Sequence, residues 1–254
     1  MAGHDTIYMM SAAPTYSTQQ RSRFRMGGVL LLAAVAALLY NSWPLGFVLN
    51  PTVVRHALAS VLEAPHQPYD WVFVSMDVAS GVLAIALGYL QLRKHPAGLP
   101  AKAAVVSYML FGALVMCAAL IPLRCDPTSQ QCGPLMHDPQ LLLHGVCSIA
   151  STFALLVSLL WAVRALAHAS VGRRLRKIAA AVGGCWLAFA GASLLEMNGL
   201  LHLAGNVTEY FFITVCGMSL VLIALMVEYA ALHQNASLRA PLGFFEDQRN
   251  GSQK

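Results

Sequence analysis

Polar and apolar positions do not alternate along this chain; they come in blocks. Six apolar blocks are long enough for a transmembrane helix, which needs about 20 mainly apolar residues. They cover 26–49, 72–92, 103–123, 141–163, 178–203 and 210–232. No period-2 pattern suggests strands, and a bilayer admits only helices or closed barrels. The pattern predicts an all-α polytopic membrane protein with six transmembrane helices over 26–233. Residues 1–25 and 234–254 are polar and read as tails, the first of them disordered. The first block is uncharged, and it is longer than the apolar core of a cleaved signal peptide.

Between the first two blocks, Asn50-Pro51 places a capping side chain before a proline at the first helical position. Val53, Val54, Ala57, Leu58, Val61 and Leu62 follow as one apolar stripe, and Pro65 ends it. The spacing predicts an amphipathic helix over 51–64, lying on the outer interface or over the bundle mouth.

Composition closes off the soluble classes. Hydrophobic residues make up 57% of the 254 and charged residues 11%, against about 25% charged in ordinary soluble chains. Charge then sets orientation. Arg55 and Arg124 lie on one side of the spans, and every other Lys and Arg lies on the opposite side. The positive-inside bias puts both termini in the cytoplasm of a plasma membrane. The net charge of +5 is a loop bias. No basic patch interleaves with aromatics as nucleic-acid binding requires, so membrane lipids are the expected partners of these loops.

Cys125 and Cys132 sit in a Pro/Gly-rich loop on the oxidising side, where a disulfide between them is expected. A metal site with His137 is the rival, but zinc-binding cysteine pairs are usually closer and a second pair is missing. No metal or cofactor is assigned. Cys117, Cys147, Cys185 and Cys216 fall within spans and read as small apolar fillers. Asn206-Val207-Thr208 matches a glycosylation acceptor but lies too close to the membrane to be used.

Charges inside hydrocarbon cost a few kcal/mol or more and need a reason. Asp77, Gly81, Ala84 and Gly88 share one helix face, and Gly184, Ala188, Ala192 and Glu196 share another. Small residues in such rows mark close helix packing, which would turn both acids inward. His144, Ser148, Ser151 and Ser158 form a third polar face. These residues predict an outward-open polar pocket lined by Asp77, His144 and Glu196, with His202 or Glu209 beside it. The plainer alternative is an Asp77–His144 hydrogen bond and a protonated Glu196. Glu228 is expected to snorkel at the cytoplasmic end without a role. His56, His66, His95, His168 and His233 read as solvated.

The run Ile121-Pro122-Leu123-Arg124-Cys125-Asp126-Pro127, followed after a loop by His144-Gly145, resembles the domain-of-unknown-function 998 family of six-pass prokaryotic membrane proteins. Ser75, Asp77 and Ser80 in the second block are similar to it too. The chain departs from the family pattern at Arg124-Cys125 and in the long outer segment 50–69. The resemblance implies a bacterial integral membrane protein and supplies no catalytic residues.

Four functions compete. The first is a bundle whose outer pocket binds a lipid or an accessory protein partner. The second is an intramembrane metal-dependent lipid hydrolase using Asp77, His144 and His202, with Ser80 near; span six lacks the paired histidines such enzymes carry. The third is haem electron transfer with His144 and His202 as the axial pair. The fourth is a secondary transporter, for which inverted repeats and broken spans are missing. The sequence favours the binding bundle over an enzyme.

Overall fold

The computed structural model describes residues 16–94, 98–121, 123–124, 138–197 and 205–239. The side chains of 16–24, 94, 193, 196–197, 205–206 and 235–239 are outside that description. Every regular element among the described residues is helical. Helix α1 covers Tyr16–Tyr40 and leads through a 3-10 turn, Trp43–Leu45, into the short α2, Gly46–Leu49. The short α3, Pro51–His56, and a second 3-10 turn, Ala59–Glu63, follow. The long helices are α4 (Asp70–Lys94), α5 (Leu99–Leu120), α6 (Pro139–His168), α7 (Arg173–Met197) and α8 (Gly205–Arg239). Five of these are long and apolar enough to cross a membrane, and a sixth crossing results if α1 and its continuation count as one span. The chain is an all-α polytopic membrane protein.

The first crossing is not the uninterrupted helix expected over 26–49. It bends by 45° between Tyr40 and Trp43. Asn41 turns its side chain back on the helix, with Nδ2 donating to the Ala37 carbonyl at 2.8 Å. Its amide also packs on Gly217 of α8, where any larger residue would collide with it. The helix also begins at Tyr16, upstream of Met26 and inside the segment read as a tail.

Segment 51–64 is likewise broken. Asn50 does cap α3, accepting from Val53 N at 3.4 Å, with Pro51 in the first turn. The helix stops at Ala57, whose backbone is extended. The break is held from α8: the Tyr210 hydroxyl donates to the Ala57 carbonyl at 3.3 Å, and Ala59 N donates to Glu209 Oε2 at 2.7 Å. Backbone groups freed by the break thus regain partners. The two pieces form a cap, with Val54, Ala57, Val61, Leu62 and Ala64 buried. Below, "cap end" means this end of the bundle.

The core lies among α1, α4, α5, α6 and α8, with Ala179 and Trp186 of α7 joining it. The small-residue row of α4 packs as expected. A methyl group at Gly81 would meet the Gly112 carbonyl of α5 at 2.5 Å, and Gly88 sits against Met109. The row in α7 does not behave this way. Gly184 and Ala188 are exposed, and nothing lies within 4 Å of a Cβ placed at Gly184. Among the described side chains of α7, the buried ones are Ala179 and Trp186. Aromatic contacts set its rotation: Trp186 meets Phe212 at 5.3 Å and Phe189 stacks on Phe211 at 5.6 Å. Rings bury far more apolar area than glycine and alanine, so their face is the one that turns inward.

Candidate functional site

A cavity of about 370 Å³ lies beneath the cap. Its polar wall holds Glu63 from the cap, Asp77 from α4, His144 from α6 and Glu209 from α8. Its apolar wall includes Trp43, Phe73, Ile149, Phe212 and Ile213. No lysine or arginine lines it among the described residues.

The centre of the polar wall is a pair of acids. Glu63, 9% exposed, lies beside Asp77 in this wall, near enough for the two carboxyls to act on one another. An ionised carboxyl only accepts, so a hydrogen bond between these two requires a proton on one of them. Burial pushes the Glu63 carboxyl up to about 7, and the bond with Asp77 acts in the opposite direction. Glu209 is held apart, bound to Ala59 N of the cap. The cap is therefore fastened to the bundle by the carboxyl groups that line the cavity.

His144 is 6% exposed and has a definite task. Its Nδ1 lies 3.1 Å from the Ala118 carbonyl and 2.9 Å from the Ile121 carbonyl, at the end of α5. Both partners are acceptors, so Nδ1 carries the proton and caps two carbonyls that the helix end leaves open. The Asp77–His144 hydrogen bond considered from the sequence does not form; Asp77 turns to Glu63. Trp43 stacks on Tyr210 with ring centroids 4.6 Å apart. The Trp43 indole nitrogen is buried and has no hydrogen-bond partner among the described residues.

The structure thus brings Asp77, His144 and Glu209 to one cavity and adds Glu63, which sequence reasoning missed. Glu196 lies in the last turn of α7, and its side chain is outside the described residues. His202, Cys125 and Cys132 are outside them altogether. No group of three or more His, Cys, Asp or Glu among the described residues could hold a metal ion. Ser158 serves packing, its hydroxyl donating to the Ala104 carbonyl at 2.7 Å. Cys117 and Cys147 are not independent fillers: their sulfurs meet at 3.1 Å between α5 and α6.

Glu228 departs furthest from expectation. It does not snorkel. It is fully buried, and Arg25 Nε reaches its Oε1 at 3.0 Å. Snorkelling needs a side chain directed to the interface, whereas this one is enclosed by α1 and α8. Nearby, Gln91 of α4 donates to the Ala224 carbonyl at 3.1 Å.

Residues 31–228 match the model of a family described as protein of unknown function (DUF998). The chain belongs to the DUF998 family. The match spans all of α4, α5, α6 and α7, so every element around the cavity lies wholly or partly within it. No curated protein and no solved structure matches the chain.

Proposed function

We propose that this DUF998 protein resides in a bacterial plasma membrane with both termini cytoplasmic, and that its cap-end cavity faces outward and binds a lipid by the polar headgroup. The distribution of Lys and Arg supports the orientation, since Arg55 lies in the cap and Arg124 follows α5 at the same end. The observation that carries the reading is the divided wall of the cavity. Glu63, Asp77 and Glu209 present acceptors on one side, and Phe73, Phe212 and Ile213 present hydrocarbon on the other. A headgroup bearing an amine or hydroxyls fits the acceptor side. The buried Trp43 N–H offers a donor to an ester or phosphate oxygen. Binding pockets of this kind combine mostly apolar walls with a few placed polar groups.

Native mass spectrometry of protein released from mild detergent tests this. The chain is expected to retain a defined lipid, and the variant Glu63→Gln/Asp77→Asn to lose it. Protein that retains no lipid, or the same lipid in both forms, overturns the reading.

A further inference from the structure

The lining of the cavity runs part-way around α6. His144 and Ser151 face the core, with 6% and 3% exposure. Ile149 lines the same cavity, yet it is 67% exposed. At about 100° per residue, His144 and Ile149 lie about 140° apart on the helix wheel. One cavity therefore reaches from the core face of α6 to its outward face. Within that arc Gly145, with nothing within 4 Å of its Cβ position, and Ser148 are small, while Leu141 a turn nearer the cap and Thr152 a turn further on also line the cavity. Across the gap, Phe212 and Ile213 of α8 are only half-buried. α7 packs on the α8 edge of this gap, where Trp186 meets Phe212 at 5.3 Å, yet no described residue of α7 lines the cavity.

Polarity changes along the same arc. Glu63, Asp77 and His144 occupy the deep end and Ile149, Phe212 and Ile213 the lateral end. Ile149 also borders an apolar groove of about 530 Å³ between α5 and α6, with Val146, Phe153 and Val157. We infer that the cavity opens sideways into the hydrocarbon through a portal between α6 and α8, and that its ligand is a membrane lipid whose acyl chain lies in that portal while its headgroup sits at the Glu63–Asp77 end. The inference rests on the headgroup reading above and adds the route of entry. A ligand arriving from water would meet the cap; a lipid arriving from the bilayer keeps its chain in hydrocarbon throughout and avoids the cost of exposing it.

Trp43 lines the cavity and makes the test direct. The variant Trp71→Phe/Trp161→Phe/Trp186→Phe leaves Trp43 as the sole tryptophan. It would be reconstituted in vesicles of phosphatidylcholine with brominated acyl chains and compared with unbrominated vesicles. Brominated chains are expected to quench Trp43, and Gly145→Phe, which fills the open space at the portal, should remove most of that quenching. Ile149→Phe fills the same gap from a position already exposed and serves if Gly145→Phe does not fold. Quenching that both variants leave unchanged comes from lipid outside the portal and overturns the inference. So does a Trp43 reached by aqueous acrylamide and not by brominated chains. Retention of the native lipid by Gly145→Phe protein, with quenching unchanged, would remove the portal while leaving the headgroup site standing.

Discussion

Two buried acids of this bundle, Glu228 and the cap's Glu63, are accommodated in opposite ways. At the end away from the cap, Glu228 is fully buried against Arg25, with Gln91 satisfying the Ala224 carbonyl nearby. At the cap end, Asp77 lies beside another acid, Glu63, in the wall of a cavity. The first arrangement balances its charge with a partner, whose own side chain is 29% exposed. The second sets two acids side by side with a cavity next to them. An ion pair has its charges already matched, whereas a pair of carboxyls can take up or release a proton and exchange hydrogen bonds with a ligand. The comparison supports the proposal of binding at the cap end and a structural role for the ion pair at the other.

The largest effect should come from breaking the closed end. Arg25→Ala leaves Glu228 as a buried charge without its guanidinium, and losing one member of such a pair costs about 3–5 kcal/mol. A clear fall in Tm in detergent is expected. A Tm within error of the parent would mean that Glu228 is held by other groups and that the two ends are less different than the geometry says.

The cap end should respond to pH instead. Glu63 is an acid raised in the folded state from its ordinary 4.5 to about 7. The closed cap is then favoured at acidic pH, and this advantage is lost as pH rises through about 7. The groups facing Glu63 across the cavity are Asp77 from α4, Glu209 from α8, Tyr40 from α1 and His144 from α6. None is a lysine or arginine that would hold an ionised Glu63 in place. Hydrogen exchange over 57–64, corrected for intrinsic rates, should be faster at about pH 8 than at about pH 5. Glu63→Gln should flatten this dependence. Its stability should change by about 1 kcal/mol or less, because the amide can still donate to Asp77. A pH dependence that survives in Glu63→Gln would assign the titration to another group.

The sequence made the spans legible because long apolar blocks have one stable solution in lipid. Counting depth along the spans put Asp77, His144 and Glu196 at one level with His202 or Glu209 beside them; Asp77, His144 and Glu209 line the cavity, and the Glu196 side chain and His202 lie outside the described residues. Glu63 was illegible for a physical reason. A helix wheel over 51–64 assumes an unbroken helix, and the break at Ala57 is created by Tyr210 and Glu209 from α8, far away in sequence. A signal existed: Glu63 is the sole acid between Asn50 and Asp70 and is flanked by Leu62 and Ala64. Glu228 carried the same signal, an acid within an apolar run, with Arg21, Arg23 and Arg25 ahead of the first span as candidate partners.

The two glycine rows show how far a pattern alone carries. Gly81 and Gly184 both sit in small-residue rows, and only Gly81 touches a neighbouring helix. The row is necessary for close approach but does not compel it, and in α7 the ring contacts at Trp186 and Phe189 decide the rotation. Gly184→Leu should therefore have the smallest effect of these changes, within about 0.5 kcal/mol of the parent as at a site without special contacts. It should also leave lipid retention at the cap end intact, since no described residue of α7 lines the cavity. A large loss of stability would mean that α7 presents this face to another protein surface. The comparison of the two ends would then have to include a partner along α7.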